Sequence, residues 1–339
     1  MNDAVDNIAA LEACIGKTPG AIHLKVIDHL DAGALRWIAS STLVFAGCGG
    51  GDDSDGNVAV TLGGGAPGFA RAMDPARLRL PLASLDRPQL LRAGSGFGAL
   101  FLSPGIGETL RVNGRVVLVD DTDIEIAVDE CYVHCAKALL RSHFWSAAPR
   151  DDAPPDATAF LAASRFVALA TMDAQGRCDL SPKGDPAGAM IRLHEGRVWY
   201  ADRPGNRRAD SFRNILAQPR IAAVALIPGS SQVAVLSGTA RITSDANVRA
   251  NFTVEGKTPS LATCVEQLTL DIYPSPALVR ARLWPVAARA ADIDPAAMLV
   301  AHVKGNKTRS LRATLVRTAL SVPGLMDKGL QSDYRNNLY

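Results

Sequence analysis

The chain has 339 residues, with 36 Lys plus Arg against 34 Asp plus Glu, and 47% of it is hydrophobic. That length suits about two domains, and the composition excludes a disordered, collagen-like or coiled-coil chain. The near-balanced charge gives no reason to expect nucleic acid or an anionic membrane surface as a main partner.

The opening MNDAVDNIAALEACIGKTPG lacks the basic start and apolar core of a secretory signal, so a cytoplasmic protein is expected. Helical periodicity first appears over 31–38. GCGGG at 47–51 has no following Lys-Ser/Thr and runs into acidic residues, which predicts a hairpin loop rather than a phosphate loop. Strand-like segments follow: LRLPL (78–82), GALFL (98–102) and TLRVNGRVVLV (109–119). The stretch 130–145, ECYVHCAKALLRSHFW, predicts a helix with His134, Lys137 and Arg141 on one cationic face. Cys131 and Cys135 on it read as buried small side chains, not as metal ligands. With the other cysteines far apart at 14, 48, 178 and 264, reduced thiols and no metal are expected.

The polar, Pro-rich 147–157 predicts a linker, and a helix follows over 156–163. RVWYA (197–201), IAAVALI (221–227) and QVAVLSGTARI (232–242) read as strands. The uncharged stretch 221–240 is broken by Pro228, Gly229 and Ser230, so it is two strands around a turn rather than a membrane span. The tail 301–339 carries seven Lys or Arg against Asp327 and Asp333 and predicts a solvated helical extension.

The sequence also repeats. Ala34, Ser41 and Val44 recur as Ala157, Ser164 and Val167; Gly64, Gly68 and Arg87 recur as Gly184, Gly188 and Arg207. Pro104 and Gly105 recur as Pro228 and Gly229, and Ala138, Arg141 and Trp145 as Ala277, Arg280 and Trp284. Ordered matches at a drifting offset predict a tandem duplication. Short strands separated by Gly, Pro and Asp then predict two small antiparallel barrels, mainly β with peripheral helices.

The densest polar cluster of the second copy is DLSPKGDPAG (179–188) with YADRPGNRRADSFRNIL (200–216). Lys183, Arg207 and Arg208 there offer fork donors beside a Gly-Asn turn, which suits a terminal phosphate. SPKGDPAG, a strand pair, GNRRADSFRNIL and PRIAAVALIPG resemble the flavin-binding core of the pyridoxamine 5'-phosphate oxidase-like superfamily, whose fold is the FMN-binding split barrel. GGGAPGFARAMD (63–74), LFLSPGIGETLRVNGR (100–115), ECYVHCAKALLRSHFW and the final QSDYRNNLY resemble one of its FMN-binding subfamilies.

The resemblance implies FMN between two barrels that normally pair as a homodimer, here supplied as an internal pseudo-dimer, with further oligomerisation open. It implies a first barrel over 1–150, a second over 151–290 and a helical extension over 291–339. Arg207 and Arg208 match the pair that grips the phosphate, with Ser181, Lys183, Asn206 and Ser211 beside them and Arg141 and Trp145 as further cofactor contacts. The copies depart from each other in complementary places. The first has Gly63 for Lys183 and LDRP (85–88) for GNRR, while the second has Val235, Tyr273 and Pro276 for Arg111, His134 and Lys137. One composite site is therefore expected, with His134, Lys137 and Arg111 as its chemical residues. An FMN-dependent oxidoreductase acting on a small molecule, with NAD(P)H as a candidate donor, is the resulting expectation. A non-catalytic flavin or haem binder and a deazaflavin-dependent reductase are the alternatives. The NNLY terminus argues against pyridoxamine phosphate oxidation itself.

Overall fold

The computed structural model describes residues 3–50, 56–205, 208–319 and 324–339. The N-terminal part carries β1 (Ala4–Val5), α1 (Ile8–Ile15), a 3-10 helix (Gly20–Lys25) and α2 (Ala32–Ser40). The first sheet follows: β2 (Leu43–Gly49), β3 (Val58–Gly64), β4 (Arg71–Asp74), β5 (Arg77–Pro81), β6 (Gly96–Leu102), β7 (Thr109–Val119) and β8 (Asp123–His134). Helices α3 (Lys137–Arg141) and α4 (Ala157–Ala163) lead to the second sheet. It comprises β9 (Phe166–Met172), β10 (Cys178–Gly184), β11 (Ile191–His194), β12 (Arg197–Asp202), β13 (Arg220–Leu226), β14 (Gln232–Thr243) and β15 (Leu261–Pro274). Helices α5 (Asp210–Ala217) and α6 (Ala246–Ala250) lie within it, and α7 (Pro276–Ala281), α8 (Pro295–Gly305), α9 (Leu311–Ala319) and α10 (Leu325–Asn336) follow it. The protein is mainly β: two antiparallel sheets with peripheral helices, consistent with the split-barrel fold.

The strand orders correspond term by term. The first sheet runs β3-β2-β6-β7-β8-β5-β4 and the second β10-β9-β13-β14-β15-β12-β11, with β1 added beside β14. Registers correspond as well. Val44 faces Gly63 as Val167 faces Lys183, and Leu100 faces Arg111 as Val224 faces Val235. Asp31 and Asp156 both accept the N-cap hydrogen bond of the helix that enters each sheet. Ser41 and Ser164 both return their hydroxyls to the carbonyl four residues back.

The sheets meet across a buried layer. In β2, Leu43 and Phe45 face the other sheet while Val44 and Ala46 face their own core, so both strand faces are apolar. The rings of Phe45 and Phe166 are 5.5 Å apart across this layer. Each half also sends a helix across. A Cβ on Gly184 would stand 1.9 Å from the Ala138 carbonyl oxygen of α3, and one on Gly64 would stand 2.0 Å from the Ala277 oxygen of α7. Only glycine admits such close backbone approach.

Three expectations are corrected. Residues 47–49 are strand, not loop: a Cβ on Gly47 would meet the Ala170 methyl at 2.9 Å, so small residues let the sheets close. The predicted helix over 130–145 is a strand up to His134 and a helix only from Lys137 to Arg141. Pairing along β7 and β8, from Thr109 with His134 to Asn113 with Glu130, holds residues 130–134 extended. His134, Lys137 and Arg141 therefore do not share a helix face. The tail is helical as expected but is not simply solvated, as its contacts below show. No helix among the described residues is long and apolar enough to cross a membrane.

Candidate functional site

Eight of the residues singled out in the sequence line one cavity of about 350 Å³ between the halves. Arg111, His134, Lys137 and Arg141 come from the first half; Ser181, Lys183, Arg208 and Ser211 come from the second. Asn206 and Arg207 lie outside the described residues. Trp145 is not on the wall: it packs against Phe144 in the layer between the sheets and donates its Nε1–H to the Ile106 carbonyl at 2.6 Å.

The wall is cationic. Arg111, Lys137, Arg141, Lys183, Arg203 and Arg208 face Asp185, Asp202 and Asp210, and Asp179 and Asp333 behind the wall pair with Arg111 and Lys137, which leaves one cation in excess. Lys183, on β10, pairs with Asp202 at 3.3 Å; Arg208 donates to Asp210 at 2.6 Å and stacks 4.6 Å from the Tyr132 ring. Helix α5 begins here at Asp210 after Ala209, whose φ of 57° turns the chain sharply, and no side chain among the described residues caps it. Its first-turn N–H groups and partial positive charge therefore suit an anion.

The three residues expected to carry chemistry differ sharply. Arg111 is 1% exposed, and its Nη1 donates to Tyr132 Oη at 2.6 Å and Asp179 Oδ1 at 2.9 Å. Its Nη2 donates to Ser181 Oγ at 2.9 Å and to the Leu180 carbonyl. Asn113 supports the same carboxylate, donating to Asp179 Oδ1 at 2.9 Å. This group ties β7 of one sheet to β10 of the other. Lys137 is 4% exposed and its ammonium is held by Asp333 of α10 at 2.9 Å. His134, half-buried at the end of β8, has no ion-pair partner among the described residues. Burial, reinforced by Arg111 and Lys25, holds its pKa well below 6.5, so the imidazole is neutral at neutral pH.

Arg141 is a frame residue. It donates to the Pro204 carbonyl at 2.7 Å, as its counterpart Arg280 donates to the Ser84 carbonyl at 2.7 Å. The same bond in both halves points to structure rather than to a ligand.

The sequence reading missed Asp185, Arg203 and the tail. Tyr334 Oη accepts from the Ala136 N–H at 3.2 Å and donates to Glu108 at 3.0 Å; Arg141 and Arg203 both stack 5.6 Å from the Tyr339 ring. Sequence separations near 200 residues hide these contacts.

Asp185 is fully buried, with Oδ2 accepting from Arg203 at 2.7 Å and Oδ1 unpartnered among the described residues. Burial pushes its carboxyl from 3.8 up to about 6, against the pull of Arg203. The folded state thus favours the acid form: that stabilisation is full below about pH 4 and is lost as pH rises through about 6. Asp185→Asn cannot titrate. The stability of wild type minus that of this variant should fall by on the order of 3 kcal/mol from pH 4 to above pH 6, measured by urea unfolding across pH. A difference that stays flat would contradict the raised value.

The corresponding position between the other halves is closed by the chain itself. Arg87 is bonded to Asp271 and lies 4.4 Å from the Tyr273 ring, while Asp86 accepts from the Ala277 N–H at 2.7 Å and from Ser275. Where Lys183 stands in one site, Gly63 stands here, under Leu85 and Val44. Among the described residues no group of three or more His, Cys, Asp or Glu is placed to hold a metal.

The profile of the family described as Pyridoxamine 5'-phosphate oxidase matches residues 153–274, the segment that carries β9 to β15 and the Lys183–Arg208 cluster. No curated protein matches the sequence. Among solved structures, the chain is similar to HupZ of Group A Streptococcus at 17% identity, over 31% of this chain and 84% of that one, with a TM-score of 0.26. It is similar to an F420 reductase at 15% identity, over 36% of this chain and 100% of that one, with a TM-score of 0.26. It is also similar to HutZ, a haem storage protein of Vibrio cholerae, at 11% identity over 34% and 90%, with a TM-score of 0.23.

Proposed function

We propose that the chain is an FMN-dependent oxidoreductase built by tandem duplication, with a first barrel over 1–150, a second over 151–290 and a helical extension over 291–339. A single flavin lies in the cavity between the barrels, and a small organic molecule and NAD(P)H are its reaction partners. The observation that carries this reading is the cationic cavity in which Lys183, Arg208 and the start of α5 converge. Its volume falls in the range of small-molecule sites, and the profile match over 153–274 covers the same strands.

Bound there, FMN supplies hydride and electron transfer at its isoalloxazine ring. The protein's part follows from the partners of each side chain. Arg208, Lys183, Ser211 and the α5 N–H groups hold the phosphate. Ser181, on the strand between the halves, hydrogen-bonds the ribityl chain. Arg111 and Lys137 add positive potential while committed to Asp179 and Asp333, so they position and polarise rather than move protons. His134, neutral and without an ion pair, is the group left to give or take a proton.

Haem is the second reading, favoured by the same neutral imidazole, whose nitrogen lone pair suits an iron ligand. The test is a titration of flavin-free protein with FMN, riboflavin and haemin, followed by fluorescence and visible absorbance. Each charge-assisted hydrogen bond to phosphate contributes roughly 1.5–3 kcal/mol. FMN should therefore bind at least about 100-fold more tightly than riboflavin. Equal affinities would remove the phosphate argument, and preferential haemin binding that is lost in His134→Ala would establish the second reading.

A further inference from the structure

A second chamber of about 360 Å³ lies against the cofactor cavity. Its walls come largely from parts of the chain outside both sheets: Leu299 and Val303 of α8, Val316 of α9 and Leu330 of α10 lie against Val133 at the end of β8. His134, Cys135 and Lys137 line both spaces, so the two share a wall. An apolar enclosure with a few convergent polar groups is the usual form of a small-molecule site.

The polar groups define the ligand. Lys137 is matched by Asp333, and the carboxylate of Glu108, which accepts from Tyr334, offsets the ammonium of Lys25, so the lining as a whole carries no net charge. Lys25 has bonding capacity to spare. It is 8% exposed, donates to the Val133 carbonyl at 2.9 Å and lies 5.1 Å from the Tyr132 ring, with no other acceptor among the described residues. An ammonium has three donors, and buried donors seek partners. Burial lowers its pKa to about 8, so the group is still an ammonium at neutral pH and donates to an acceptor oxygen.

We infer that this chamber binds an uncharged, largely apolar organic molecule whose carbonyl or other acceptor oxygen meets Lys25, and that it is the substrate side of the cofactor site. The second clause rests on the flavin reading; the binding itself does not.

The probe is 1-tetralone, with tetralin as its analogue lacking the oxygen, titrated calorimetrically into the full chain as purified. Tetralone should bind about tenfold more tightly than tetralin, and Lys25→Met should erase that difference. Leu330→Trp, which fills the chamber, should weaken both at least about tenfold. An unchanged unfolding temperature and unchanged affinity for FMN show that each variant is folded. Tetralone should also shift the absorbance of protein-bound FMN. No binding of tetralone, equal binding of the two probes, or undiminished binding to Leu330→Trp overturns the chamber. Binding without any effect on the flavin spectrum overturns its place as the substrate side. Tetralone binding by a protein that takes up no FMN leaves the chamber standing and refutes the cofactor reading instead.

Discussion

Replacing Arg111 by alanine is expected to lower the stability of the whole chain by about 3–5 kcal/mol, the range found when one partner of a buried ion pair is removed. The guanidinium is 1% exposed and satisfies Asp179, Tyr132, Ser181 and the Leu180 carbonyl at once. Truncation leaves Asp179 with Asn113 as its remaining neighbour and strands a buried carbonyl and a phenol. Because these partners lie on β7, β8 and β10, both sheets lose their polar tie together. The loss should be conditional on charge. Arg111→Met combined with Asp179→Leu removes both ions and fills the space with apolar atoms, so the double variant should recover most of the loss. Urea unfolding of the two single variants and the double variant gives the coupling directly. A single-variant loss below about 1 kcal/mol, or a double variant no better than Arg111→Met, would show that the pair is not a structural tie.

Arg111 also shows how far the sequence could be read. Its strand, 109–119, was legible because a run of Val and Leu is punctuated by Asn-Gly. Its role was not, because the partner Asp179 lies 68 residues away in the other sheet. The aligned registers of the two sheets make Gly63 the equivalent of Lys183 and Val235 the equivalent of Arg111. Around His134 local pattern misled. ECYVHCAKALLRSHFW holds both an alternating start and a helical end, and only the ladder to Thr109 and Arg111 decides where one stops. The glycines at 47–49 carry the signature of a loop and serve instead as the low side of an interface, which a single sequence cannot distinguish. The tail was least legible of all, since its Asp333, Tyr334 and Tyr339 become meaningful only against Lys137, Glu108 and Arg141.

Denatured protein should release one FMN per chain, and the two corresponding positions explain why in terms of charge. Around Arg208 the cavity keeps one cation in excess even after Asp179 and Asp333 are counted against Arg111 and Lys137, and the N–H groups of α5 add a partial positive charge. Around Arg87 no such excess exists, because Arg87 and Arg280 stand against Asp86 and Asp271. Asp271 occupies the Arg87 guanidinium, Asp86 already caps the crossing helix α7, and Gly63 offers no cation in place of Lys183. A phosphate dianion entering there would have to displace Asp271 and face Asp86, whose carboxyl is raised by burial and could gain nothing from a second anion nearby. Pro88, next to Arg87, has no backbone donor to offer. Arg208→Ala should therefore weaken FMN by one to two orders of magnitude, from the loss of roughly 1.5–3 kcal/mol of charge-assisted bonding. Lys183→Ala should act in the same direction, since Lys183 and Arg208 each have one carboxylate partner, Asp202 and Asp210. Arg87→Ala should leave both the ratio and the affinity near wild type, while releasing Asp271. Flavin content per polypeptide after heat denaturation, together with the FMN dissociation constant for each variant, decides the matter. A wild-type ratio near two, or equal losses at Arg87 and Arg208, would mean that both positions bind the cofactor. The asymmetry of their carboxylates would then have to serve some other end.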